Sequence, residues 1–280
     1  MTRLEPLTPV DTTGLFAPLS AELVALLRGL AESDWSKPTV AGAWSVKDVA
    51  GHLLDGQLRR LAYGRDAHTG RGPASGAYGD VVAFINELNA TGVAYAARLS
   101  PRVLTDLLEV TGEWVARYFA SLPPSGEARF AVDWAGEARS ENWMDVGREY
   151  TEHWHHQMQI RDAVGAPLLL QPRWLDPLLD LSVRVFRRAY RDIAAPVGTA
   201  VCFEVPGYRP WAWSVVREAS GWVVMRGRAE RPAASVSADA DAAWRLLYNA
   251  LPPEAARTRL TTAGDAALLA PLFRARSVMV

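Results

Sequence analysis

Only one cysteine, Cys202, occurs in the 280 residues. No intrachain disulfide can form, and the chain reads as one made for a reducing, cytoplasmic compartment. Cys202 falls in an apolar stretch expected to be a strand, where it reads as packing rather than as a nucleophile. An excess of one charge is missing too. The 30 basic and 31 acidic side chains leave a net charge of −1, which argues against nucleic acid or an anionic membrane as an electrostatically bound partner. No apolar run reaches the ~18 residues that a membrane-spanning helix needs. The segment MTRLEPLTPVDTTG lacks the apolar stretch of a signal peptide. Several catalytic signatures are absent as well: no P-loop, no G-x-G-x-x-G after a strand, no G-x-S-x-G and no H-E-x-x-H. Nor is there an internal repeat or a low-complexity tract.

What is present is apolar and aromatic. Hydrophobic residues make up 49% of the chain and tryptophan occurs 11 times, ample for a core and for aromatic pocket walls. Phe16, Leu19, Leu23, Leu26, Leu27 and Leu30 recur at helical spacing. After a loop marked by Pro38 and Gly42, Ser45 and Asp48 form a capping signature that opens a second helix. This helix carries His52 on the flank of its apolar stripe. The Gly-rich stretch 64–79 reads as a loop, with His68 solvated, and a helix is expected over 80–99. Ser100-Pro101 opens another, which Pro123-Pro124 ends. Phe130, Val132 and Trp134 alternate before Gly136 as in a short strand. A long helix runs from about Asn142 to Val164, with Gly165 as its stop, and one more covers 174–192. Beyond Ala194-Ala195-Pro196 the pattern turns to strands at 199–205, 211–215, 222–225 and 234–236, with Ser220-Gly221 as a hairpin turn. Helices are expected at 239–250 and 265–273. Residues 1–193 therefore read as a helical domain and 194–280 as an α+β domain.

The long helix contains EYTEHWHHQMQI, residues 149–160, with three of the five histidines. At about 100° per residue, Asp145, Glu149, Glu152, His153, His156, Ile160 and Ala163 share a face. A carboxylate or imidazole on a packed face needs a partner, because an unpaired buried charge is costly. One such partner is a divalent metal. Two pairs, Glu149/His153 and Glu152/His156, have the i,i+4 spacing that lets two side chains share an ion, and helical geometry does not choose between them. His155 points away from His156. The alternative is an intrahelical Glu–His hydrogen bond in an amphipathic core.

WSKPTVAGAWSVKDVAGHL resembles the N-terminal signature of the mycothiol-dependent maleylpyruvate isomerase family: an aromatic residue, a Pro-Thr loop, Gly and Trp, then a helix ending at a ligand histidine. TEHWHHQMQIRDAVG resembles that family's E-x-x-x-H helix and the H-x-x-x-H-x-x-Q-I helix of the wider DinB-like superfamily. The C-terminal W-x-W strand and TTAGD segment look more loosely like a sterol-carrier-like second domain. The resemblance implies a DinB-like four-helix bundle with a smaller α+β, sterol-carrier-like domain. It selects Glu152 and His156, followed by Gln159-Ile160, and adds His52 to complete a divalent-metal site, usually Zn2+. Two histidines and one carboxylate leave the fourth position of tetrahedral zinc open, the catalytic arrangement. The resemblance further implies a thiol cofactor such as mycothiol, whose thiolate adds to an electrophilic small-molecule substrate. Expulsion after rotation about a cis double bond gives an isomerase, and retention gives an S-transferase. The competing reading is a non-catalytic metal-binding or stress-response protein, or one holding a small apolar ligand. Gln159, Glu149 and His153 are possible supports for the ligands. Arg161, Arg217, Arg226 and Arg228 are available for an acidic substrate, but no motif selects among them, and no residue is assigned a catalytic role.

Overall fold

A computed structural model describes residues 4–75, 77–132, 135, 137–207 and 211–278. The chain divides into two units, residues 11–129 with 141–169, and residues 1–10 with 130–140 and 170–279.

The first unit is helical. Its helices are α1 (Phe16–Arg28), α2 (Val46–Arg59), α3 (Tyr78–Ala96), α4 (Pro101–Ala120) and α5 (Asn142–Val164). Local chemistry fixes their ends. Asp48 N–H donates to Ser45 Oγ at 3.3 Å while Ser45 N–H donates to Asp48 Oδ2 at 2.9 Å, a reciprocal cap on α2. Val103 N–H donates to Ser100 Oγ, with Pro101 as the first residue of α4. Gly165 ends α5 at φ 70°, a conformation glycine adopts without steric cost. The helix α1 packs on α4 and α5, and α2 packs on α3, α4 and α5. Between them Leu23, Leu27, Trp35, Val46, Val49, Leu53, Leu54, Leu104, Leu108 and Ile160 form one apolar core. Two glycines let helices meet closely: a Cβ at Gly51 would stand 2.6 Å from that of Ala96, and one at Gly92 would overlap the Asp55 carboxyl. A π-helical turn, Arg60–Arg65, extends α2, with Asp66 N–H bonded to Leu61 O at 2.9 Å.

The second unit is a six-stranded mixed sheet with helices α6 (Pro172–Ser182), α7 (Val185–Tyr190), α8 (Ala240–Leu247), α9 (Pro253–Arg259) and α10 (Ala266–Arg274). Its strands are β1 (Glu5–Pro6), β2 (Ala200–Val205), β3 (Trp211–Glu218), β4 (Gly221–Arg226), β5 (Ala234–Ser237) and β6 (Thr261–Gly264), in the order β1-β4-β3-β2-β5-β6. All neighbours are antiparallel except β2 and β5. The β3–β4 hairpin turns at Ala219-Ser220, with Glu218 opposite Gly221. Phe203 and Trp213 stack across the β2–β3 pair at 6.2 Å.

The helical N-terminal part and the sheet region match the architecture expected. Several details differ. The single helix expected over 174–192 is broken between Ser182 and Val185, and both pieces group with the sheet, so the chain's division falls at 169/170, a different cut from the expected border at 193. Phe130 and Val132 lie in irregular backbone, while Trp134 and Gly136 are outside the described residues. Thr261–Gly264, expected to lead into a helix, pairs with β5 as β6. Among the described residues no helix is long and apolar enough to cross a membrane.

Candidate metal centre

Three of the sequence-selected side chains meet in the helical unit. His52, midway along α2, and His156, on α5, turn their Nε2 atoms toward the same oxygen, Oε1 of Glu152, at 3.0 and 3.2 Å. One ligand atom from each lies within 4.8 Å of the others. The two histidines are buried and Glu152 is partly exposed. His52 is 5% exposed although its sequence position marks only the flank of an apolar stripe. The Trp44 indole covers it, with ring centroids 4.9 Å apart. Burial lowers the pKa of His52, and the neighbouring His156 adds to that. Burial alone would raise the Glu152 carboxyl, but the charge of His156 and the hydrogen bonds from His156 and His52 hold it well below the usual carboxylate range. The set is therefore an anionic oxygen between two imidazoles.

Orientation comes from the atoms behind. His156 Nδ1 lies 2.7 Å from Gln159 Oε1, one helical turn on. A carbonyl oxygen only accepts, so Nδ1 carries a proton, and Nε2 is the nitrogen left to face Glu152. A cation held by Nε2 and the carboxylate would take the place of the proton shared between them at 3.2 Å. The donor set, two neutral nitrogens and one carboxylate, suits a divalent ion such as zinc. His52 Nδ1 is buried without a hydrogen-bond partner, so this ring is held by packing on Trp44 and His156 rather than by a second hydrogen bond.

The other residues of the face have different partners. Glu149 bonds Arg60 at 2.9 Å and Arg148 at 2.7 Å, and Asp145 takes a two-point contact from Arg60 at 2.6 and 3.0 Å. Glu149 is thus engaged by two guanidiniums. His153 packs its ring edge-on against Phe16, 5.5 Å between centroids. His155 Nδ1–H donates to Thr151 O, and burial pushes that ring's pKa down to about 3. Arg161 reaches Glu22 and the carbonyl of Pro167. In the sheet unit Arg226 pairs with Asp180 and Arg228 with Glu204. Sequence reasoning passed over Trp44 as a ring cover and Arg60 as a counter-ion. The presence of Asp145 and Glu149 on one packed face was the available sign that a cation had to be close.

The family model for the mycothiol maleylpyruvate isomerase N-terminal domain matches residues 16–161. Among the solved structures that match, two cover 95% of this chain. A crystal structure of mycothiol-dependent maleylpyruvate isomerase is 12% identical, with 95% of this chain and 98% of that chain covered at a TM-score of 0.58. A histidine-to-alanine mutant of a mycothiol-dependent maleylpyruvate isomerase is 13% identical over the same shares, at a TM-score of 0.52. At such identities the likeness speaks for the fold. No curated protein sequence matches.

Proposed function

The chain belongs to the family of the mycothiol maleylpyruvate isomerase N-terminal domain, and from that premise we propose that it is a divalent-metal enzyme that activates a small thiol of the mycothiol kind toward an electrophilic substrate. The observation that carries this reading is the convergence of His52 Nε2, His156 Nε2 and Glu152 Oε1 at 3.0 and 3.2 Å. In it, His52 and His156 bind through Nε2 and Glu152 through its carboxylate, so that α2 and α5 are joined at one point. Gln159 keeps the proton of His156 on Nδ1, and Trp44 shields the His52 ring from water. A bound zinc ion with an open fourth position would supply a thiolate nucleophile at neutral pH. The chemistry that follows is cis–trans isomerisation of a maleylpyruvate-like acid, or S-transfer. The same reading takes the helices as a DinB-like four-helix bundle and the α+β part as a sterol-carrier-like companion.

Elemental mass spectrometry on protein purified without added metal or a His-tag tests it. One divalent ion per chain, lost in His52→Ala together with thiol-dependent turnover, is the expected result. Absence of metal in the wild type after reconstitution, or full turnover in His52→Ala, would refute it.

A further inference from the structure

The helical unit holds another recess, away from the triad residues, of about 340 Å3, lined by Arg65, Trp114, Arg117, Tyr118 and Ser121. The π-helical turn after α2 contributes Arg65 to it. Arg60 opens that turn and is taken up by Asp145 and Glu149, whereas Arg65, which closes it, faces the recess. Gly64 lies under the Tyr118 ring: a Cβ there would stand 2.9 Å from the phenol oxygen, so glycine is what lets the ring rest on the turn. The last two turns of α4 and the residue after it supply the remaining lining residues.

The lining is one-sided in its chemistry. Among the described residues it holds two guanidiniums, a phenol, an indole and a serine, and no acidic side chain. Ser121 spends its proton on Tyr118 O at 2.7 Å. The Tyr118 hydroxyl has no protein hydrogen-bond partner among the described residues, and burial raises its pKa, so it remains a donor at neutral pH. Arg65 gives Nε and Nη2 to Asp66, leaving Nη1 free of that pair. Arg117 stands 3.8 Å from Glu113, with both side chains 68% exposed. Exposed pairs of this kind are weak and yield to a better-placed anion. Trp114 is 42% exposed, an indole face open to solvent.

We propose that this recess binds a small planar carboxylate, an arene carboxylate, with its charge on Arg65, Arg117 and the Tyr118 hydroxyl and its ring on Trp114. Guanidinium forks match carboxylate geometry, and a flat body suits an indole face. The proposal does not depend on the metal reading, since none of the five residues belongs to the triad.

The test uses the full chain and 4-fluorobenzoate, followed by 19F line width and shift, with 4-fluorobenzamide as the neutral isostere. Saturable millimolar binding is expected, weakened at least about tenfold in Arg65→Gln/Arg117→Gln and in Trp114→Ala, and unchanged in His52→Ala. The amide is expected to bind at least about tenfold more weakly than the acid. No saturable binding, equal binding of acid and amide, wild-type binding by the recess variants, or loss confined to His52→Ala would each overturn the proposal. Arg117 is 68% and Arg65 42% exposed while His52 is buried, and unchanged far-UV circular dichroism identifies variants that have kept their fold.

Discussion

Replacing Arg60 by methionine removes a cation from a nearly dry place. The Arg60 side chain is 8% exposed, and those of Asp145 and Glu149 are 6% and 7% exposed. Wild-type Arg60 offsets both carboxylates through contacts of 2.6, 2.9 and 3.0 Å. Methionine keeps much of the apolar stem but none of the charge. Removing one partner of a buried ion pair costs ~3–5 kcal/mol. Arg148, 23% exposed, already touches both carboxylates and can offset one of them, so the expected loss lies at the lower end, ~3 kcal/mol. The loss also depends on pH. Burial, assisted by Glu149 and opposed by Arg60, raises Asp145 from 3.8 to about 6. A group whose folded pKa is raised contributes stability that is present below the unfolded value and lost as pH rises through the folded one, here between 3.8 and about 6. Without Arg60 the carboxyl climbs further, and each unit it climbs adds ~1.4 kcal/mol to the deficit above the wild-type titration. Urea unfolding followed by far-UV circular dichroism, at roughly pH 5.5 and roughly pH 8, reads both effects. A deficit under ~1 kcal/mol at the higher pH, or one as large at the lower pH, would refute the buried-pair account.

Gln159→Met keeps the unbranched stem but removes the acceptor 2.7 Å from His156 Nδ1. We expect metal affinity to fall ~10–100-fold in a chelator competition with little change in fold. Unchanged affinity would show that Gln159 does not set the ring's tautomer. Gly92→Ala places a methyl group on the Asp55 carboxyl, so either the Asp55 side chain or the α2–α3 contact must shift. A loss of ~1–3 kcal/mol in urea is expected, and a neutral result would show that α3 yields without cost.

Much of the helical unit could be read from local chemistry. Ser45 with Asp48, Ser100 with Pro101 and Gly165 are signals carried within a few residues, and each marks a helix end. The apolar stripe of α1 is likewise a local pattern. Elements held by partners distant in sequence were less legible. β1 has two residues and β6 has four exposed ones, too little alternation to stand out, and both exist because a neighbouring strand offers hydrogen bonds. The triad shows the same limit. Glu149/His153 and Glu152/His156 are equivalent by spacing, and helical geometry had no means of separating them. In space they differ by their neighbours: Arg60, in the turn after α2, engages Glu149, and His52 of α2 engages Glu152. His52 also looked like a boundary residue because the cover over it, Trp44, comes from the loop before the helix.

The sheet has a consequence for the order in which the chain can mature. Its edge strand β1 is made of Glu5 and Pro6, which lie against Arg226 and Met225 of β4. On a ribosome those first residues leave the exit tunnel long before their partner exists, and they must wait without a mate while the whole helical unit is synthesised. The helices depend far less on delayed pairing, since their caps and stripes are local. Until synthesis passes β4 the opening strand is a loose thread, and until that strand returns, the β4 margin at Met225 and Arg226 presents bare backbone groups to any other nascent chain. The short edge and its proline, which has no N–H to offer a neighbour, limit that exposure to a brief and narrow target.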